Sequence, residues 1–469
     1  MKEQAFVKRK ISKFYFFILL LFLLKVVLMG VFSSEYQDRL FMPFIRDFLA
    51  GNGNPYQIAY ERGNSNAFPY PPAMLFVESF GGLLIKFLSV KSVFLINFLF
   101  KLPSCIADFV GLIVLIKFFP DKRRYVAVLY YASPIIIYGV YMHGQLDLIP
   151  MAFLICALYF LASKKNDRTR YICGVIFTVL ALLCKLHILA VLPIIVLYLF
   201  KRDGVSGTLK YCLGVLMGTI MGIVPFWSEG FIQLVLLNVE QNVLTKVYID
   251  FYSVLLYIPI ALVLIVYILA FKINYMNKEL FLNFCGIVFS VFLAFCPPMP
   301  GWYVWIVPFM VLYFSSTSEE KYKNIMIYAT LNLLYLGYFV FFHNRGYVDL
   351  YYLGRSLDWI KVDNRVFSNI AFTFLSTLLI YLLISMYKNG IASNNLYKRK
   401  NIPFTIGITG DSGTGKTTLL NLIEKGVGKD SLLYLEGDGD HRWERGSEHW
   451  EDFTALNPTA NYVYRQAND

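Results

Sequence analysis

Gly410-Asp411-Ser412-Gly413-Thr414-Gly415-Lys416-Thr417-Thr418 places a lysine and hydroxyl residues behind a glycine-rich loop, and Gly410–Thr417 matches GxxxxGK[ST]. Glycines let successive backbone N–H groups turn onto a phosphate, and a following helix adds the positive end of its dipole. In that chemistry Lys416 reaches the β- and γ-phosphates of ATP and Thr417 holds Mg²⁺. The flanks suit the motif: Phe404–Thr409 reads as a short strand, and Thr418–Lys425 as a helix packing through Leu419, Leu420, Leu422 and Ile423. A second expected strand, Ser431–Leu435, runs into Glu436, Asp438, Asp440, His441 and Arg442. Acids at a strand's C-terminal end are placed to act on substrate or magnesium.

A second set of reactive residues lies earlier. Glu35 and Asp38 follow the first apolar run, His143, Gln145 and Asp147 form one cluster, and Lys185 and His187 another. A carboxylate can deprotonate an acceptor hydroxyl, while cations and polar donors can hold a departing phosphate. Lys185 also fits a side chain snorkelling to an interface, whereas a carboxylate as close to an apolar run as Asp147 is costly without a use. Tyr36, Tyr56, Tyr60 and Tyr70 suit either sugar stacking or an interfacial aromatic belt.

The elements that must position these groups are helices in lipid. Of 469 residues, 57% are hydrophobic and 16% charged, against about 25% charged in soluble domains. The net charge of +12 sits in short clusters between apolar runs, such as Lys8–Lys10, Lys122–Arg124, Lys201–Arg202 and Lys398–Lys400. That is the pattern of cytoplasmic loops, and no nucleic-acid-binding signature accompanies it. The seven cysteines lie in or beside apolar runs without metal spacing and read as apolar fillers. A basic start and the run Phe14–Phe32, with no A-x-A site behind it, predict a retained first helix.

Apolar runs from Phe14–Phe32 to Val366–Tyr387 predict roughly 12 to 14 crossings with both termini cytoplasmic, in the plasma membrane. Val93–Phe119 is long for one helix and short for two, and is expected to form a re-entrant hairpin with its tip near Pro103. The expected fold class is mainly α: a multi-pass membrane domain over 1–387, a cytoplasmic linker over 388–402, and the start of an α/β P-loop domain over 403–469. That last segment has about 70 residues, where a doubly wound domain needs roughly 150 to 200. It is expected to bind a phosphate more readily than to complete a kinase cycle.

The pieces GDSGTGKTTL, EGDGDHRWER and HWEDFTALNPTAN resemble the uridine kinase and phosphoribulokinase family. The resemblance implies that Asp438 deprotonates the acceptor, with Asp440 standing at a usually aromatic position, and that His441 and Arg442 hold the acceptor. Over most of residues 1–390, Glu35–Arg39, Asn54-Pro55-Tyr56, Tyr70-Pro71-Pro72, His143–Asp147, Lys185–His187 and Pro297–Tyr303 resemble polytopic GT-C type glycosyltransferases. Those enzymes take a sugar from a polyprenyl-phosphate carrier outside the cytoplasm. The resemblance implies Asp38 as base with Glu35 as second candidate, and His143, Gln145, Asp147, Lys185 and His187 as phosphate or sugar contacts. The expected partners are membrane lipid, the lipid-linked sugar and a nucleotide. The competing expectation is a transporter or lipid flippase with a nucleotide-sensing tail.

Overall fold

The computed structural model describes residues 2–51, 53–64, 66–163, 168–238, 243–296, 298–317, 321–343, 350–394, 405–409, 413–428, 432–433, 442–443, 446–449 and 452. It divides into two compact units, Met1–Asn401 and Ile402–Asp469. Among the described residues 77% are helical and 4% are in strands, so helices do nearly all the positioning.

The first unit opens with helix α1 (Lys2–Val31) and strand β1 (Phe32–Ser34). A π-turn over Tyr36–Phe41 leads into α2 (Met42–Leu49), α3 (Pro55–Glu61), α4 (Pro72–Phe87), α5 (Val93–Phe100), α6 (Leu102–Phe118) and α7 (Arg123–Tyr131). After the broken stretch Pro134–Met142 come α8 (Leu148–Leu161), α9 (Arg168–Cys184) and α10 (Leu192–Ile223), the last turned at Gly204 with φ +73°. Strands β2 (Tyr248–Phe251) and β3 (Val254–Tyr257) form a hairpin before α11 (Ile258–Lys272). Helices α12 (Lys278–Phe295), α13 (Val307–Ser316) and α14 (Lys321–Leu336), strands β4 (Leu350–Tyr352) and β5 (Arg355–Ser356), and α15 (Arg365–Ser393) complete the unit. Strand β4 lies between β1 and β5, with Phe32 opposite Tyr352 and Ser34 opposite Leu350.

Proline and asparagine explain many of the helix starts. Asn54 accepts from the Tyr56 amide at 3.1 Å and Pro55 follows it, a cap plus a residue whose missing N–H costs nothing in a first turn. The same logic starts α12, where Asn277 Oδ1 accepts from Leu280 N at 2.8 Å. The long first loop is therefore ordered, and it encloses a separate small core. In it Phe44 stacks on Phe68 at 4.9 Å, and Tyr56 packs edge-on to Phe231 at 5.2 Å.

Four helices are long and apolar enough to cross a membrane: Phe14–Val31, Lys278–Phe295, Tyr322–Phe342 and Arg365–Ser393. Two broken pairs raise the number to six among the described residues, below the roughly 12 to 14 expected from apolar runs. The difference lies in runs that fold as shorter helices, such as α8 and α11, or carry a charged turn, as α10 does at Lys201–Gly204. Val93–Phe118 also differs from expectation. Its two helices meet at Lys101 with a bend of 41°, far short of the reversal a re-entrant tip requires, so it runs on as one broken segment.

Basic residues gather at one end of this unit. Lys122 donates to Ser315 O at 2.6 Å and Lys278 lies over the Phe118 ring at 4.6 Å. Arg170 pairs with Asp203 at 2.6 Å, and Lys201 caps α11 by donating to Phe271 O at 2.7 Å and to Ile273 O. Arg124 lies over Phe14 on α1, and Asn277 donates to Ser393 O at the end of α15. Cations at helix C-termini complement the dipole there.

In the second unit, α16 (Lys416–Val427) begins where the motif predicts, behind Gly415. Of the expected strand Phe404–Thr409, Thr405–Thr409 are described and carry no strand pairing, and no strand occurs among the described residues of this unit; Phe404 and, of the expected strand Ser431–Leu435, Ser431, Tyr434 and Leu435 lie outside the described residues. A strand without a ladder partner leaves its N–H and C=O groups to water, so β propensity alone does not hold one. Leu419 and Leu422, expected to pack, are exposed.

Candidate functional site

Three of the expected membrane-domain residues, Gln145, Lys185 and His187, line one cavity of about 480 Å³. Tyr36, Phe41, Tyr70, Phe292, Trp302 and Trp305 supply aromatic faces to its wall. The cavity is mainly apolar with a few polar groups, the usual make-up of a small-molecule site.

Lys185, in the cavity lining, pairs with Asp147 behind it. Asp147 is fully buried, and its Oδ1 takes the Lys185 ammonium and the Trp305 Nε1 proton, the latter at 2.6 Å. Asp147 Oδ2 has no partner among the described residues. Lys185 stands 5.2 Å from the Tyr70 ring centroid and 5.3 Å from that of Trp305, so the ammonium is held between two aromatic faces. The chain reaches this geometry because α9 ends at Cys184 and Lys185 is extended, which turns its side chain off the helix. Gly301 makes room opposite. A Cβ there would stand 2.5 Å from Gln145 Cβ and 2.8 Å from Asp147 Oδ2.

His187 stacks on Trp305, with centroids 4.1 Å apart and planes 15° off parallel. Neither ring nitrogen has a partner among the described residues. Burial, and secondarily the Lys185 ammonium, push the imidazole well below its ordinary pKa. It is therefore neutral, with one nitrogen able to accept and one to donate.

His143 and Asp147 sit behind the cavity rather than in its lining. The backbone carbonyl of His143 accepts from Ser34 Oγ at 2.5 Å, which ties this cluster to β1. His143 Nδ1 lies 3.5 Å from Gln145 Nε2 and so helps orient the glutamine. Asp38 and Glu35 belong to the neighbouring π-turn, whose Tyr36 lines the cavity while neither acid does. Asp38 accepts from Ser33 Oγ at 2.8 Å. Burial raises its pKa above the usual carboxylate range, partly offset by the Ser33 hydrogen bond and the Lys101 charge. Glu35 pairs with Arg39 at 2.5 Å.

The aromatic residues divide. Tyr36 and Tyr70 reach the cavity, whereas Tyr56 is buried in the small core with its hydroxyl on Tyr70 O at 2.8 Å, and Tyr60 donates to Glu229 at 3.2 Å. Sequence reasoning missed Trp305, although its spacing of three from Trp302 places both on one side of a helical turn. Two buried lysines join α1 to the helices beside it. Lys101, at the break between α5 and α6, donates to Met29 O at 3.3 Å and to Phe32 O, closing the carbonyl end of α1. Lys25 pairs with Asp108 at 2.6 Å, both fully buried, and joins α1 to α6.

In the second unit Gly413 and Gly415 have φ of +83° and +85°, which glycine adopts without strain, and Lys416, Thr417 and Thr418 open α16. Gly410, Asp411, Ser412, Asp438 and His441 lie outside the described residues; Thr414 and Arg442 are exposed. No group of three or more His, Cys, Asp or Glu able to hold a metal occurs among the described residues. Compared with family models, curated proteins and solved structures, the chain matches none significantly.

Proposed function

We propose that the first unit is a membrane glycosyltransferase that uses a polyprenyl-phosphate-linked sugar. The observation that carries this reading is the cavity itself: a largely buried, ion-paired lysine, an unpartnered neutral imidazole and an amide set into aromatic walls. Aromatic faces suit a sugar ring, apolar walls a prenyl chain, and Lys185 the phosphate between them. In the reaction the bond from the sugar's anomeric carbon to the phosphate oxygen breaks, and a bond to the acceptor oxygen forms. The acceptor proton passes to a base, for which the GT-C resemblance and the raised basicity of the Asp38 carboxylate favour Asp38. The departing phosphate keeps the electron pair, and Lys185 stabilises its charge.

One observation favours the transporter reading. Helices broken at Lys101 and at Ala132–Ser133 are common where transporters bind cargo. The cavity nevertheless lies toward the end away from the basic cluster: Leu189 and Ala190 line it, while Lys201, farther along α10, caps α11 at the basic end. A one-sided cavity suits transfer at one membrane surface. The test is transfer of radiolabelled sugar from a short-chain polyprenyl-phosphate donor to a lipid-extractable or protein-bound acceptor by the purified chain. Turnover lost in Lys185→Met supports the transferase; donor carried across vesicles without cleavage sinks it.

For the second unit we propose ATP binding. Left-handed glycines leading directly into a helix fit a phosphate cradle, with Lys416 and Thr417 holding the β- and γ-phosphates and Mg²⁺. Transfer of the ATP γ-phosphoryl group to an acceptor hydroxyl deprotonated by Asp438 is the further expectation of the kinase resemblance.

A further inference from the structure

Hairpin β2–β3 is apolar where a water-exposed hairpin would be polar. Its register pairs Ile249 with Leu256 and Phe251 with Val254, so these four share one face. All four are exposed, at 45%, 44%, 57% and 65%. The other face carries Tyr248, Tyr257 and Leu255 beside one charge, Asp250, and Tyr252 at the tip is fully exposed. Soluble antiparallel sheets alternate apolar-in with polar-out. Here neither face is covered by the chain, and an isolated two-stranded hairpin is marginal in water.

What covers it follows from the helix it leads into. Helix α11 starts at Ile258, directly after the hairpin, and its Ile260, Leu264, Ile268 and Phe271 leave an apolar stripe exposed along its length. The helix has 15 residues, about 22 Å at 1.5 Å per residue, while the hydrocarbon core is about 30 Å thick. Lys201 fixes its far end among the basic residues, so the shortfall falls at the hairpin end. An open two-stranded hairpin cannot fill that gap within the hydrocarbon, where its edge N–H and C=O groups would have no partners, but at the headgroup level water satisfies them. Tyrosines at the tip and base are the residues that settle at a lipid–water boundary.

We propose that hairpin Tyr248–Tyr257 docks at the lipid–water boundary beside the short end of α11, its apolar side chains dipping toward the acyl chains while its edge N–H and C=O groups and Asp250 stay within reach of water. The segment just before it, Val243 and Leu244, lines the cavity, so the hairpin marks the side on which that cavity meets the acyl chains. The proposal rests on the membrane reading of the helices and is independent of the transferase chemistry.

The test is spin labelling of the full chain in phosphatidylethanolamine–phosphatidylglycerol vesicles, at Phe251→Cys and Val254→Cys, with Ile268→Cys on α11 as reference. The labelled parent chain, whose Cys173 and Cys212 are half-buried, supplies the background. Oxygen collisions more frequent than nickel-chelate collisions at 251 and 254, by a smaller factor than at 268, are expected. Nickel-dominated collisions at 251 and 254, with 268 still oxygen-rich, overturn the proposal by placing the hairpin in water. Low accessibility to both agents at 251 and 254 overturns it by placing protein, such as a second copy, on the hairpin. Nickel-dominated collisions at all three sites overturn the membrane reading and the proposal with it, leaving the transferase assay to stand or fall separately.

Discussion

Lys25→Met and Asp108→Asn, separately and together, measure what holds the first helix in place. The pair is fully buried at 2.6 Å, Tyr141 donates a second hydrogen bond to the same Asp108 oxygen at 2.7 Å, and the ammonium lies 3.5 Å over the Tyr131 ring. Removing one partner of a buried pair costs about 3–5 kcal/mol, because the other charge stays buried and unpaired. The two losses are unequal here. Lys25→Met leaves a carboxylate with the Tyr141 hydroxyl and falls at the upper end. Asp108→Asn leaves an ammonium on an aromatic face worth about 2 kcal/mol when desolvated, and keeps an acceptor for Tyr141, so its loss is about 1–3 kcal/mol. The double variant has no buried charge and lies within about 1–2 kcal/mol of the parent. Denaturant unfolding in mixed micelles reads all four corners of the cycle. A double variant as unstable as the two losses added would refute the coupling, and so the role of this pair in binding α1 to α6.

Gly301→Ala forces a methyl group against Gln145 and Asp147; overpacking costs about 1–3 kcal/mol, and transfer activity should fall further than stability, read by turnover beside unfolding. Asp38 has a raised folded pKa, so the native state binds more protons between the ordinary carboxylate pKa and the folded one. Stability contributed by protonated Asp38 is therefore present at low pH and lost as pH rises through that window, and Asp38→Asn should remove this part of the pH dependence. Activity should move oppositely, rising across the same window as the base is freed, and Asp38→Asn should abolish it. Lys416→Ala should weaken ATP binding at least tenfold in a fluorescent-nucleotide titration, with unit 1 unaffected.

The helical character was legible because it depends on local signals, and local motifs also picked out Gln145, Lys185 and His187, which line one cavity. Apolar runs mark helices, Asn54-Pro55 caps one, and Lys185 and His187 flank a helix break. Crossing number was less legible, since hydropathy does not say where a run bends or stops short, as at Lys101 and in α11. Trp305 and the Lys25–Asp108 pair were missed because their partners are far along the chain: 158 residues separate Trp305 from Asp147 and 83 separate Lys25 from Asp108. Thr405–Thr409 carry no strand pairing for the same reason in reverse. A strand is a property of a pair, and local β propensity supplies only one member.

The most direct measurement of the central claim is turnover of a radiolabelled polyprenyl-phosphate sugar by the parent chain, Lys185→Met and Asp147→Asn, each with its unfolding curve. The account predicts transfer by the parent. Lys185→Met should lose at least a hundredfold in kcat, about 3 kcal/mol of transition-state stabilisation, and Asp147→Asn should lose less, because Trp305 and the cavity still position Lys185. Parent-level turnover in folded Lys185→Met would contradict the account, as would a folded parent that binds the donor and leaves its sugar–phosphate bond intact with every acceptor class tried.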